Sequence, residues 1–285
     1  MKKWIGYISY GVIILVAFLY LLFPSREIRD YLVQEAEKRV PGLSLGIGTL
    51  APSLPPGLKF SELDVSLQNQ PVFNASQMIV TPRYLSLFSA DKSFRLKGDV
   101  YQGMLSGDAA VATASKPQYS ADIDFEGVQM NAIDPLKELI PHQIFGAAQG
   151  DIKYSTQGGP WGEGNGEITV TGCRIEFKPA LFGVKELDLG KVNAGIELQN
   201  RRASIKKITI KGAQISGNAS GSLGLRRPLP QSTIQLEGTL KPHPSLIKEL
   251  SRTVPSQLLS QRDYVDKGIP FRLSGTLDRP NFSLR

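Results

Sequence analysis

Cysteine and histidine are nearly absent from this 285-residue chain, which has one of the former and two of the latter. A lone Cys173 excludes any disulfide within the chain and any metal cage built from cysteines. His142 and His243 stand in Pro-His-Gln and Pro-His-Pro, without the paired spacing of a zinc site. Neither Gly-x-Ser-x-Gly nor His-Glu-x-x-His occurs, so no nucleophile elbow and no zinc-protease helix is written here. Gly162, Gly164 and Gly166 lack the third-glycine spacing and the Lys-Ser/Thr of a phosphate loop, and read as a flexible hairpin within a loop over 158–166. Aromatics are only 8% of the residues, and the densest basic stretch, 201–211, contains none. The net charge of +7 therefore suits solubility or attraction to anionic headgroups better than nucleic acid. Carboxylates are scattered over polar strand positions, with no pair singled out for acid–base work. These absences point away from an enzyme, a cofactor, a metal or a nucleic-acid partner.

Charge is also missing from one long stretch. Trp4 to Phe23 carries none over 20 residues, which as a helix would span about 30 Å, the thickness of a bilayer's hydrocarbon core. Trp4, Tyr7, Tyr20 and Phe23 mark its two ends, where amphipathic rings favour the water interface. A buried soluble helix would show a polar face, and a signal peptide would end in small residues; Leu-Leu-Phe-Pro-Ser-Arg does neither. The expectation is one uncleaved transmembrane helix. Lys2 and Lys3 precede it, but Arg26, Arg29, Lys38 and Arg39 follow closely, so charge counting does not orient it. A short tail before the span and a long domain after it match a signal anchor with its C-terminal domain exported.

What is present is mostly period-two alternation. A helix is first expected over 25–40, capped by Ser25, with Ile28, Leu32 and Ala36 on one face and Pro41-Gly42 as its stop. From residue 43 apolar residues alternate with polar ones, as in Leu63, Val65, Leu67 and in Ala121, Ile123, Phe125. The clearest cases are Ile234, Leu236, Leu240 and Phe271, Leu273, Leu277, which define one apolar face, either a core or a groove. One-sided burial belongs to antiparallel sheets. Gly107, Gly217, Gly238 and Gly275 suggest bulges that curl the sheet. Short helices are expected from Pro82 through Phe88, over 134–140 and from Pro244 to Leu250. Leu236-Glu-Gly-Thr-Leu-Lys-Pro242 is echoed by Leu273-Ser-Gly-Thr-Leu-Asp-Arg-Pro280, and Pro135-Leu-Lys-Glu-Leu by Leu246-Ile-Lys-Glu-Leu250, a weak repeat of helix and strand. The fold class is thus mainly β: a curled antiparallel sheet with a few short helices, preceded by one N-terminal transmembrane helix.

Three phrases carry a family resemblance. Phe-Pro-Ser-Arg-Glu-Ile-Arg-Asp-Tyr-Leu (23–32), Pro-Gly-Leu-Ser-Leu (41–45) and Leu50-Ala-Pro-Ser-Leu-Pro-Pro-Gly-Leu58 resemble the opening of protein N of the bacterial type II secretion system, GspN. The ending Pro-Phe-Arg-Leu-Ser-Gly-Thr-Leu-Asp-Arg-Pro (270–280) is similar to the C-terminal signature of AsmA-like proteins. The resemblance implies a cytoplasmic stub and anchor (1–23), an amphipathic helix (24–42) and a periplasmic β-rich domain (43–285) on the bacterial inner membrane. It implies a non-enzymatic accessory of the secretion apparatus, with other secretion components as partners. The alternative it implies is an AsmA-like lipid-binding or lipid-transfer protein with an apolar β groove. Neither family supplies catalytic or binding residues to carry over. An assembly part would close the apolar strand face into a dry core, whereas a lipid carrier would leave it open.

Overall fold

A computed structural model describes residues 4, 7, 10–11, 14, 18, 20–112, 117–140, 142–156, 162–181, 183–226, 228–250 and 268–284. Helix α1 (Ser25–Arg39) leads into a meander of strands. These begin with β1 (Leu43–Ser53), β2 (Gly57–Leu67), β3 (Gln70–Pro82), β4 (Asp91–Val100), β5 (Gly103–Ala112) and β6 (Gln118–Gln129). Helix α2 (Asp134–Leu139) intervenes before β7 (Gln143–Ser155), β8 (Glu163–Leu181), β9 (Val184–Gln199), β10 (Arg202–Lys211), β11 (Ile215–Gly224) and β12 (Thr233–Pro242). Helix α3 (Pro244–Leu250), then β13 (Ile269–Thr276) and β14 (Pro280–Leu284), complete the order. All 14 strands join one sheet in sequence order, each antiparallel to the next.

The alternation fixes this arrangement. Each strand has one apolar side to bury, and two-residue or slightly longer turns return the chain beside itself. The expected curl is corrected: β1 and β14 do not pair with each other, and the sheet is an open run rather than a curled or closed one. The glycines expected to bend it do not interrupt the register. Gly107 stands between Leu96 and Ile123, and Gly238 between Ala219 and Phe271, in unbroken ladders. A Cβ at Gly238 would meet the Asn218 carbonyl oxygen first and then the Phe271 ring at 2.8 Å, so glycine allows a close approach of the neighbouring strands instead of marking a bulge. Register shifts fall elsewhere, for example between Phe125 and Val128. The expected loop at 158–166 is also shortened, because Glu163 to Gly166 already belong to β8; residues 157–161 lie outside the described residues.

The membrane anchor expected over 4–23 is corrected as well. Among the described residues no helix is long and apolar enough to cross a membrane. Within that stretch, residues 5, 6, 8, 9, 12, 13, 15–17 and 19 lie outside the described residues. Trp4 and Tyr7 are exposed, while Tyr20 and Phe23 are half-buried. The Tyr20 hydroxyl donates to the Ser53 carbonyl at the end of β1, so this ring meets the sheet rather than a headgroup layer. The single-pass inner-membrane localisation, the periplasmic placing of 43–285 and the membrane as partner all rest on the anchor, and none is supported.

Helix α1 forms where expected, although Ser25 makes no capping bond and Pro24 precedes the first turn. It lies along the outer edge of β1, where the Glu37 carboxylate accepts from Leu45 N–H at 3.4 Å and Arg29 donates to the Gly48 carbonyl at 3.5 Å. One edge of the sheet is thereby covered by the chain itself. The expected helix at 82–88 is a 3-10 turn, Tyr84–Phe88, with Pro82 still in β3.

The remaining helices reveal a repeat. Each of α2 and α3 follows an even-numbered strand, the sixth and the twelfth, so both leave the same end of the antiparallel sheet. The sequences entering them align: Glu126-Gly127 and Lys137-Glu138-Leu139 recur as Glu237-Gly238 and Lys248-Glu249-Leu250 at identical spacing. Six strands and a helix form the unit, β1–β6 with α2 and β7–β12 with α3. Two apolar clusters match the two helices. Met130 and Ile133, just before α2, pack with buried Val100, Val128, Ala148, Val170 and Cys173, and α2 reaches back to β3. Leu246 of α3 packs with Val184 and Ile215, joined by Phe177, Ile210 and Leu240.

Candidate functional site

Cross-strand register shows which side chains share a face. One row runs Pro52, Leu58, Val80, Leu96, Gly107, Ile123, Ile152, Gly166, Ile196, apolar in every strand from β1 to β9. The adjacent row Leu105, Phe125, Gly150, Ile168, Ala194 is apolar too. The opposite face carries Lys97, Ser106, Asp124, Asp151 and Glu167 side by side. The sheet is therefore amphipathic over most of its width.

Covering of the apolar face is uneven. Along β7, Ala148 is 3% exposed and Ile152, two rungs away on the same face, is 43% exposed. Val128 and Val170, the partners of Ala148, are buried, whereas Ile123 opposite Ile152 is only half-buried. At the covered end Met130 and Ile133, in the turn before α2, pack against these buried residues.

At the open end a hollow of about 220 Å³ lies among Ile152, Tyr154, Gly166, Ile168, Ile196 and Leu198. It exists because Gly164 and Gly166 place no side chain between Ile152, Tyr154 and the β9 residues. Enclosed small-ligand sites usually run from about 300 Å³ upward, so this is a dent in a surface rather than a ligand cavity. The polar side is knitted by exposed pairs such as Lys153–Asp122 at 3.4 Å and Arg272–Glu237 at 3.3 Å, which join residues directly opposite each other.

The apolar residues expected near the C-terminus come together in part. Leu236 stands opposite Leu273, Gly238 opposite Phe271, and Leu240 opposite Ile269, all on one face. Ile234 is buried and the others are half-buried. Leu277 lies beyond the end of β13 in the turn, where its N–H donates to the Ser232 carbonyl. The rows over β4–β9 extend the same face and are the part that strand-by-strand reading missed. Their signal was in the alternation of 121–125 and 194–198, but only register shows that these strands are continuous.

The titratable groups have structural surroundings. His243 holds the Ala213 carbonyl at 3.1 Å and the Ser216 hydroxyl at 3.0 Å, tying the end of β12 to the β10–β11 turn. His142 Nδ1 accepts from Lys178 N–H at 3.3 Å and its ring meets Phe177 edge-on. Burial pushes the Cys173 thiol above its ordinary value, with Asp188 adding to the effect. Burial likewise raises the Tyr101 phenol, against the lowering effect of the Asn74 N–H it accepts. Among the described residues no cluster of three or more His, Cys, Asp or Glu is placed to hold a metal.

No family model, no curated protein and no solved structure matches this chain. The expected role in type II secretion, with other secretion components as partners, is corrected by that result and because, among the described residues, no helix is long and apolar enough to cross a membrane. The alternative of lipid binding or transfer through an apolar groove is corrected with it.

Proposed function

We propose that this chain is a non-catalytic scaffold whose apolar sheet face, over β5–β9, is covered by a layer of another protein. One observation carries the reading: Ile152 and its neighbours form an apolar surface continuous with a buried core, yet uncovered where α2 ends. A sheet with one apolar face needs a second layer against it, and layers pack about 10 Å apart. The shallowness of the hollow favours a broad protein surface over an enclosed small molecule. The 270–280 phrase supports placing the chain within the AsmA-like class, although the scaffold reading does not depend on it.

The test is isolation of the chain, under non-denaturing conditions, from the cells that make it. Wild type should carry a polypeptide in near-stoichiometric amount, Ile152→Arg should lose it, and Lys153→Glu on the other face should keep it. Equal retention by all three proteins, or acyl lipid in place of the polypeptide, overturns the reading.

A further inference from the structure

The two edges of the sheet are treated differently. The β1 edge is covered by α1, whereas among the described residues no strand or helix lies outside β14. Every residue of β14 is exposed, including Phe282 at 51% and Leu284 at 59%.

The backbone direction at this edge follows from the turn. Thr276 and Arg279 exchange both hydrogen bonds, Thr276 N–H to the Arg279 carbonyl at 3.4 Å and Arg279 N–H to the Thr276 carbonyl at 3.1 Å. In an antiparallel pair such rungs alternate with rungs that make no bond across the pair. Gly275↔Pro280, Leu273↔Phe282 and Phe271↔Leu284 are then the non-bonded rungs, and Ser274↔Asn281 and Arg272↔Ser283 the bonded ones. The backbone groups of Pro280, Phe282 and Leu284 consequently point outward. Proline fits this pattern, since the N–H it lacks would face away from β13.

These outward groups are self-complementary about Phe282. We propose that a second copy of this chain pairs its β14 with this one, antiparallel, across a two-fold axis at Phe282. The two Phe282 residues exchange both N–H···O bonds, and each Leu284 N–H donates to the Pro280 carbonyl of the other copy. The apolar face, already continued by Phe282 stacked on Phe271 at 5.7 Å, runs on through the second Phe282. On the polar face Asn281 meets Ser283, so no like charges stand directly opposite within the strand.

The test uses the full chain with Cys173→Ala, which removes the native thiol. Sedimentation velocity should show a concentration-dependent dimer. Leu284→Pro should shift it to monomer at the same concentrations without changing the thermal melt. Register is read by mild oxidation. Phe282→Cys should cross-link to itself, because directly opposed strand residues have Cα atoms about 5.5 Å apart, within disulfide reach. Asn281→Cys and Ser283→Cys should each stay uncross-linked alone and cross-link when mixed. A monomer at all concentrations overturns the proposal. So does a dimer indifferent to Leu284→Pro, or one in which Ser283→Cys links as readily as Phe282→Cys. Loss of the dimer in Ile152→Arg with β14 intact would instead place the contact on the sheet face.

Discussion

Strands β6, β7 and β8 offer two halves of one face for comparison. At the end where α2 follows β6, Val128, Ala148 and Val170 form a row of buried residues packed with Met130 and Ile133. Two rungs along, Ile123, Ile152 and Gly166 form a row of the same chemistry with no second layer among the described residues. The apolar pattern is the same in both, so patterning alone does not tell core from contact surface. What separates them is whether a second layer packs there, as Met130 and Ile133 from the turn before α2 do at the buried end.

The comparison makes energetic predictions. The largest effect should come from the covered end, where Met78→Ala leaves a cavity and should cost about 2–5 kcal/mol in denaturant unfolding. Leu246→Ala, in α3, should fall in the same range of about 2–5 kcal/mol for the same reason. Leu236→Ala should cost about 1–2 kcal/mol, because a half-buried leucine realises only part of the roughly 1.5–3 kcal/mol of full burial. Ile152→Ala should cost under about 1 kcal/mol in the isolated chain, since its side chain already meets water. A loss at Ile152 as large as that at Met78 would break the distinction between the two ends.

The polar face sharpens the comparison with an opposite sign. Asp124, Asp151 and Glu167 are direct neighbours on adjacent strands and repel one another. Asp151→Ser should raise stability by about 0.2–1 kcal/mol at low salt, and by less at high salt. Cys173 and Tyr101, both raised by burial, stay protonated in the folded chain where the unfolded chain ionises. Stability is then complete below the ordinary thiol value and falls as pH rises through the folded values. Melts across that alkaline window should show the decline, and Cys173→Ala should make it shallower.

Much of the fold was legible because its signals are local. Alternation at 63–67, 121–125, 194–198, 234–240 and 271–276 marks strands, and Pro135 and Pro244 mark the starts of α2 and α3. The same-face grouping of Leu236 and Leu273 follows from period two, and their register places them directly opposite. Leu277 escaped because the Thr276–Arg279 turn takes it out of the strand, a fact set by hydrogen bonds and not by hydropathy. The glycines misled because Gly107 and Gly238 admit a neighbouring strand's backbone, at the Asp122 and Asn218 carbonyls, a close approach that no single strand displays. The open, uncurled sheet and the uncovered end over β5–β9 depend on which strands pair and on where a second layer packs, and neither is a local signal. The apolar run at 4–23 was read from its length, its lack of charge and of a polar face, its aromatic ends and the absence of a cleavage site, and the Tyr20 contact to Ser53 was invisible to that reading.

The central claim, that the open half of the apolar face is covered by another protein, is tested most directly by a photo-reactive amino acid placed in living cells. At position 152, on the apolar face, illumination should give one discrete protein adduct. At position 151, on the polar face of the same strand, it should give none. Adducts of equal yield from both positions, or an adduct at 152 that proves to be lipid, would contradict the account.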